Sequence, residues 1–262
     1  GGEDFPIALD HPFAAFLESK AYAAEMGATA EWRKMEGVAV DANNGFVYIA
    51  MSSIDKGMSD EEGDVQLAEN KCGIVYQAAL DADMNISNMF PLIVGGPYDS
   101  EADNRCAVDA IANPDGVDVD SRGRVWVAED TSNHVNNMLF AYDPADGSLK
   151  RFATVPTGAE ITGIIVTDTD DVLFNVQHPT AMSRYPYNRG VVGIVNGFKS
   201  NDTFTEIGVP EGDDVYDVKV AAGSYQVLAR VGEEIPGDIY GQRFGQVNRV
   251  DGSLMEMCNH PD

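Results

Sequence analysis

Three stretches of the chain repeat one pattern, and this repeat constrains the fold more than any other feature. In each stretch a run of alternating apolar and polar residues is followed by a polar turn and a second apolar run. The period of two is typical of β-strands, and the turns carry Gly, Asn and Asp, so each stretch predicts a β-hairpin. The copies cover residues 36–50, 115–128 and 162–176, with a fainter fourth copy at 217–229.

Further strands are predicted between the copies. Residues 138–142 and 149–155 flank the turn Asp143-Pro144-Ala145-Asp146-Gly147, which gives four strands per repeat. Four strands recurring roughly every 40–50 residues are typical of a β-propeller blade. The first interval is longer because it contains an acidic loop at residues 59–70. A β-sandwich remains the alternative fold.

One helix is predicted, over residues 13–26. Phe16, Ala23 and Met26 share one face of this helix, and Gly27 ends it. The sequence therefore predicts an all-β chain: a β-propeller, or the C-terminal part of one, built of four-stranded blades with one short N-terminal helix. We interpret residues 1–262 as a single domain and as a segment of a longer polypeptide.

The composition excludes two classes of partner. The 262 residues carry 43 Asp plus Glu against 17 Lys plus Arg, a net charge of −26. This charge repels nucleic acid and anionic lipid, and no apolar run reaches the roughly 18 residues that span a bilayer. The three cysteines leave two alternatives open: a Cys72–Cys106 disulfide with Cys258 unpaired, or three buried thiols.

Acidic residues precede the first strand of each clear copy and are the candidate metal ligands. Glu36, Asp115 and Glu160 would gather at one mouth of a central channel if the copies are successive blades. Carboxylate oxygens are the ligands that Ca²⁺ prefers. The alternative is that these carboxylates are simply solvated.

A basic pair stands beside the first of these acids. Arg33 and Lys34 can bind an anionic substrate next to Glu36, or form an ordinary surface ion pair. His178 is a candidate metal ligand or proton donor, or a buried histidine satisfied by the backbone. His134, with Asn136 and Asn137, lines the same mouth or forms turns. No Gly-rich phosphate loop, nucleophile elbow or HExxH motif is present.

Five short motifs in order resemble the PhoX-type alkaline phosphatase family. They are Gly27-Ala28-Thr29 with Arg33-Lys34-Met35-Glu36-Gly37, Asn113-Pro114-Asp115-Gly116, Glu129-Asp130 with His134-Val135-Asn136-Asn137, Pro156-Thr157-Gly158-Ala159-Glu160-Ile161-Thr162-Gly163, and Phe174-Asn175-Val176-Gln177-His178-Pro179. The resemblance covers residues 27–179 as a family-like core. Residues 180–262 form a loosely matched extension.

The resemblance implies a β-propeller, export by the twin-arginine route to the periplasm or outside the cell, and a channel-mouth cluster of Ca²⁺ and Fe³⁺ that hydrolyses small phosphate esters. It implies that Glu36, Asp115 and Glu160 are metal ligands and that Arg33 or Lys34 binds the phosphate. The chain departs from the family pattern at Gly37 and Gly116. It also lacks the preceding region that supplies iron ligands in the family, so a missing N-terminal portion or a neighbouring subunit is an expected partner.

Two other functions stay open on the same residues. One is a non-enzymatic, extracellular propeller that Ca²⁺ stabilises within a surface layer or filament. The other is a lactonase-like propeller hydrolase with a single Ca²⁺. The leading prediction is a metal-dependent phosphate monoester hydrolase.

Overall fold

The computed structural model describes residues 8, 10–248 and 253–257, and the chain divides into two compact units. The first unit comprises Gly1–Arg33 and Asp55–Glu69, and the second comprises Lys34–Ile54 and Asn70–Asp262. That residues 1–262 form a single domain stays a prediction. Within the described ranges, no helix is both long and apolar enough to cross a membrane.

The first unit contains the predicted helix, but as two pieces. Helix α1 spans Ala14–Leu17 and α2 spans Ser19–Glu25, with one non-helical residue, Glu18, between them. Gly27 ends α2 as predicted: it has a positive φ of 80°, and the N–H groups of residues 27 and 28 donate to carbonyls of the last turn. The predicted apolar face is not buried, since Phe16 is 81% and Met26 66% exposed.

The second unit is built of short antiparallel strands. In chain order the strands are β1 Met35–Asp41, β2 Phe46–Met51, β3 Ile74–Leu80, β4 Ile86–Val94, β5 Pro114–Val119, β6 Val125–Glu129, β7 Met138–Asp143, β8 Ser148–Thr154, β9 Ile164–Val166, β10 Val172–Val176, β11 Val191–Asn196, β12 Lys219–Val220, β13 Ser224–Arg230, β14 Gln246–Asn248 and β15 Leu254–Met257.

These strands form three main sheets and one small one. Sheet 1 has the order β1-β2-β3-β4, sheet 2 the order β12-β8-β7-β6-β5, and sheet 3 the order β13-β11-β10-β9. Strands β14 and β15 form a separate pair. The prediction of an all-β chain with sheets of about four strands is confirmed.

The three clear copies of the repeat are the hairpins β1–β2, β5–β6 and β9–β10. The prediction of a fourth hairpin at residues 217–229 is wrong. There β12 pairs with β8 in sheet 2 and β13 pairs with β11 in sheet 3. Gly223, with a φ of 73°, lies in the turn that carries the chain from one sheet to the other. A short alternating run specifies a strand but not the strand beside which it lies.

Sheet 2 is buried on both faces. Val127 and Phe140 pack against sheet 1 in one apolar core, while Trp126 and Leu139 pack against sheet 3 in another. Successive residues of a strand point to opposite faces, so the continuous apolar runs of β6 and β7 supply both cores. The three sheets therefore follow one another in sequence order and in packing.

The first strands of the three hairpins lie against one another, and glycine permits this approach. A Cβ atom on Gly37 would lie 2.3 Å from the carbonyl oxygen of Asp115, and one on Gly116 would lie 3.0 Å from the side chain of Ile164. Contacts therefore join β1 to β5 and β5 to β9. This close packing brings the corresponding ends of the three hairpins together.

At their turns, the hairpins carry buried aspartates that are saturated with hydrogen bonds. Asp120 accepts from the backbone of Arg122 and Arg124, the Arg124 guanidinium at 2.7 Å and the Trp126 indole at 3.0 Å. Asp170 accepts from Ser121, Ser200 and Asn201. These carboxylates fix the turns and link the second hairpin to the third.

Candidate functional site

The opposite ends of the same hairpins surround a polar cavity of about 410 Å³. The two ends of a hairpin lie side by side, so residues before its first strand meet residues after its second strand. The lining side chains are mostly carboxylates, amides and hydroxyls. They belong to Lys34, Glu36, Ser52, Ser53, Asn113, Asp115, Asp130, Thr131, Ser132, Asn133 and Glu160.

The structure brings together four of the five site residues predicted from the sequence. Glu36, Asp115 and Glu160 all line the cavity, and Lys34 lines it beside Glu36. Arg33 belongs to the first unit, where its guanidinium pairs with Asp55 at 2.5 Å. The roles of all five residues stay predictions.

The sequence prediction missed Asp130 as a cavity residue. Asp130 follows β6 directly, and its backbone N–H reaches the carbonyl of Asn113, two residues before Asp115. The first hairpin has the same arrangement, with the N–H of Ser52 donating to the carbonyl of Lys34 at 3.0 Å. Pairing the residues that follow each second strand with the acids before the first strand would have found this carboxylate.

The four carboxylates repel one another. Burial, together with the negative charges of Asp130 and Glu36, raises the pKa of Asp115 to about 6. Burial and Asp130 likewise raise the pKa of Glu160. The protein therefore holds acidic groups together in a place where the charged form is disfavoured, which is a common property of functional sites.

Lys34 supplies positive charge inside this acidic cavity. Its ammonium lies 2.8 Å from Oε1 of Glu36, with 48% of the side chain exposed. Its φ of 54° is the left-handed conformation that non-glycine residues rarely adopt. This backbone conformation holds the lysine at the start of β1, next to the cavity.

A loop of residues 130–133 forms one wall and is supported from behind by buried residues. Asn137 exchanges two hydrogen bonds with the backbone of Thr131, accepting at 2.7 Å and donating at 2.8 Å. His134 is buried between the carboxylate of Glu129 at 3.0 Å and the carbonyl of Cys106 at 3.1 Å. His134, Asn136 and Asn137 are buried and are not among the residues that line the cavity, so the structure does not support the alternative in which they line the mouth.

The pairing with Glu129 changes the pKa of His134. Burial acts to lower its pKa, but the charge of Glu129 and the hydrogen bonds that the imidazole donates to Glu129 and to the carbonyl of Cys106 outweigh it, so the pKa is raised. Glu129 also accepts from the backbone of Ala112 and Met138. The pair joins the end of β6 to the segment that contains Cys106.

A disulfide links Cys72 to Cys106, which confirms the first of the two cysteine alternatives. Both half-cystines are bonded to the cavity wall: the carbonyl of Cys72 accepts from Asn113, and the N–H of Cys106 donates to the carbonyl of Asn133. Cys258 lies outside the described residues.

His178 lies at the end of the third hairpin and is half-buried. It has a φ of 52°, and its Nε2 is 2.7 Å from the side-chain nitrogen of Gln177. Its charge acts to lower the pKa of Glu160. It is thus electrostatically coupled to the cavity, and its proposed role as ligand or proton donor stays a prediction.

The donor set suits a hard cation in its chemistry. Carboxylate, amide and hydroxyl oxygens line the cavity, and these are the ligands of Ca²⁺. Among the residues that the structure describes, no three acidic, histidine or cysteine side chains already converge on one point as a metal site. The residues therefore fit Ca²⁺ by donor type and charge. Iron stays a prediction.

Comparison with known proteins gives one family. The family model for alkaline phosphatase PhoX matches residues 12–180, more than half of the chain. No curated protein sequence matches. A solved structure of a luciferin-regenerating enzyme is similar, with 17% identity over 67% of this chain and a TM-score of 0.38. This chain covers 48% of that structure, and so distant a likeness carries no inference. The extent of the family match shows that the chain belongs to the alkaline phosphatase PhoX family.

Proposed function

We propose that this chain is the cation-binding part of a PhoX-type phosphate monoester hydrolase. One observation carries the proposal beyond family membership: Glu36, Asp115, Asp130 and Glu160 line one open cavity together with Lys34. A cation that binds the four carboxylates relieves the repulsion that raises the pKa of Asp115. The small phosphorylated substrate would bind in this cavity.

The residues divide the work by charge. Bound Ca²⁺ would neutralise the negative charge that develops on a transferring phosphoryl group. Glu36, Asp115, Asp130 and Glu160 would hold that cation. The ammonium of Lys34 orients a phosphoryl oxygen, since Lys binds phosphate as a point charge. Arg33 is the weaker candidate for this task because its guanidinium already pairs with Asp55.

We further propose that sheets 1 to 3 are consecutive blades of a β-propeller. The sequential packing of the sheets and the contacts between β1, β5 and β9 support this interpretation. In this arrangement the cavity lies at one mouth of the channel, where blades outside this chain would add further side chains.

The disulfide supports a location outside the cytoplasm. Disulfides persist in the periplasm and in secreted proteins, and they are rare where glutathione keeps thiols reduced. The Cys72–Cys106 bond therefore fits export to the periplasm or beyond, as proposed for this family.

The test is hydrolysis of p-nitrophenyl phosphate by the purified full-length protein, with Ca²⁺ and after chelation. We expect chelator-sensitive turnover that Asp115→Asn lowers at least about 100-fold, the scale at which loss of one charge-stabilising group is felt. Asp118→Asn is the matched control, because Asp118 lies on the same strand but bonds the backbone of Val166. Turnover that survives both chelation and Asp115→Asn would contradict the proposal.

A specific observation favours the second candidate, a Ca²⁺-stabilised module in an extracellular assembly. The outer faces of sheets 1 and 3 expose Val38, Val40, Ile165 and Leu228, each by more than half. Exposed apolar faces of this kind are suited to packing against neighbours. Ca²⁺ binding without any phosphatase turnover would support this candidate over the enzyme.

A further inference from the structure

Asn113 lines the cavity and occupies an unusual backbone position. It stands directly before Pro114 with a φ of 44°. A residue before proline normally adopts an extended conformation, and the left-handed region is tolerated best by Asn among non-glycine residues. Backbone strain of this kind persists only where the surroundings fix it.

The side-chain amide of Asn113 has its hydrogen-bonding capacity filled by protein groups. Its nitrogen donates to the carbonyls of Ser52 at 2.5 Å and Lys71 at 2.9 Å. Its oxygen accepts from the hydroxyl of Thr131 at 2.5 Å and from the amide of Asn133 at 2.7 Å. An amide has two donors and two acceptor lone pairs, so none is left for a ligand.

These bonds connect opposite walls of the cavity. Ser52 follows β2 in sheet 1, on the side of Lys34, whereas Thr131 and Asn133 belong to the loop that carries Asp130. The backbone of Asn113 adds a bond to the carbonyl of Cys72 and one from the N–H of Asp130. One residue thus holds the first hairpin, the disulfide segment and the loop of the second hairpin.

We propose that Asn113 is a positioning residue that sets the width of the carboxylate cavity and is not itself a cation ligand. The inference rests on the proposed cation site, because the width matters only if the carboxylates bind one ion together. Amide oxygens are common Ca²⁺ ligands and Asn113 lines the cavity, so a ligand role would be the ordinary expectation for this residue.

Asn113→Asp separates the two roles. If Asn113 were a ligand, a carboxylate in its place would keep or strengthen cation binding. As a positioning residue, Asp would set an oxygen against the carbonyls of Ser52 and Lys71, and we expect Tb³⁺ and Ca²⁺ affinity to fall about 10–100-fold, the usual cost of losing an outer-shell partner. Unchanged or tighter binding would overturn the proposal.

Asn136→Asp is the matched control. Asn136 is also buried, and it also donates to two carbonyls, those of Val155 and Val215, but it does not line the cavity. We expect this variant to lower the unfolding midpoint while leaving the Tb³⁺ affinity of the folded protein within about twofold. An equal loss of affinity in both variants would show general destabilisation and would overturn the proposal.

Hydrogen exchange gives a readout that needs neither cation nor turnover. In the cation-free protein, Asn113→Asp should increase exchange at residues 130–133, and Asn136→Asp should not. The milder Asn133→Ala, which removes one bond to Asn113, should give a smaller increase if Asn113→Asp does not fold. If Asn113→Asp exchanges faster at residues 130–133 but the unaltered protein binds no cation, the proposed function is refuted and the positioning role stands. If exchange at residues 130–133 is unchanged, the positioning role is refuted.

Discussion

Both ends of the hairpins carry carboxylates, but the groups around those carboxylates differ between the two ends. At the turns, Asp120 and Asp170 are buried and each accepts several hydrogen bonds. At the cavity, burial and the neighbouring carboxylates raise the pKa values of Asp115 and Glu160. Hydrogen-bond donors, rather than burial, therefore distinguish a carboxylate that stabilises the fold from one that is available to a ligand.

The turn end also shows how burial can be outweighed. Burial acts to raise the pKa of Asp170, but hydrogen bonds from Ser121 and Ser200 and the charge of Lys199 lower it. Among the described residues, Asp115 has no comparable set of donors to offset burial, and Lys34 acts to lower its pKa. We therefore expect removal of charge to destabilise one end and to stabilise the other.

The largest effect is expected for Asp120→Asn. This change leaves the buried Arg124 without its charged partner and removes an acceptor from Trp126. Breaking one side of a buried ion pair costs about 3–5 kcal/mol. Urea denaturation should show a loss of this size in the free energy of unfolding. The affinity of the folded variant for Tb³⁺ should stay unchanged. A loss of cation binding would show that the turn end and the cavity end of the hairpins do not act separately.

A smaller effect of opposite sign is expected for Asp115→Asn in cation-free protein. Removing one of the mutually repelling charges should raise the free energy of unfolding at pH 7 by about 1–2 kcal/mol, after allowance for solvent screening. The same variant should lose cation affinity. Urea denaturation with and without Ca²⁺ measures both results, and a destabilised variant would show that Asp115 is structural.

The smallest effect is expected in the pH dependence of stability, to which Asp115 and Asp170 contribute with opposite signs. Because the folded pKa of Asp115 is about 6 against 3.8 ordinarily, the folded state binds its proton more tightly than the unfolded state. Stability of the cation-free protein should therefore fall as the pH rises from 4 to 7 at this residue. Asp170 acts oppositely: its pKa is lowered, so its contribution is present above the ordinary value and is lost as the pH falls.

Denaturation at several pH values between about 2 and 7 checks this prediction. Asp115→Asn should make the decline with rising pH smaller, leaving the part that Glu160 contributes, and should keep the loss of stability below the ordinary pKa of 3.8. Saturating Ca²⁺ should also suppress the decline, because the cation favours the ionised carboxylates. A decline of the same size in Asp115→Asn as in the unaltered protein would contradict the raised pKa of Asp115.

Much of the hairpin architecture could be predicted from local pattern. The period of two over residues 36–50 and 115–128 predicts strand, turn and strand, and Gly147 marks the turn between β7 and β8. The fourth hairpin failed because residues 219–220 and 224–230 have strand character but pair with different sheets. Pairing depends on long-range contacts that a local pattern does not contain.

The site was predicted in part for the same reason. Glu36, Asp115 and Glu160 could be found because each stands before a first strand, at a fixed place in the repeat. Asp130 was missed although the pairing of the hairpin ends places it beside Asn113. The supporting role of Asn113 could not be found, because it depends on which loop lies beside which strand. The Arg33–Asp55 pair likewise joins residues whose proximity no spacing predicts.

Local sequence pattern was enough to predict three hairpins, the acidic character and the family motifs. These features follow from backbone geometry and side-chain chemistry, which act over a few residues. The folded chain was needed to show that Cys72 pairs with Cys106, that Arg33 pairs with Asp55, and that Asp120 accepts hydrogen bonds whereas Asp115 lies near other carboxylates. Burial, hydrogen-bond partners and neighbouring charges decide these outcomes, and they exist only once distant segments have packed together.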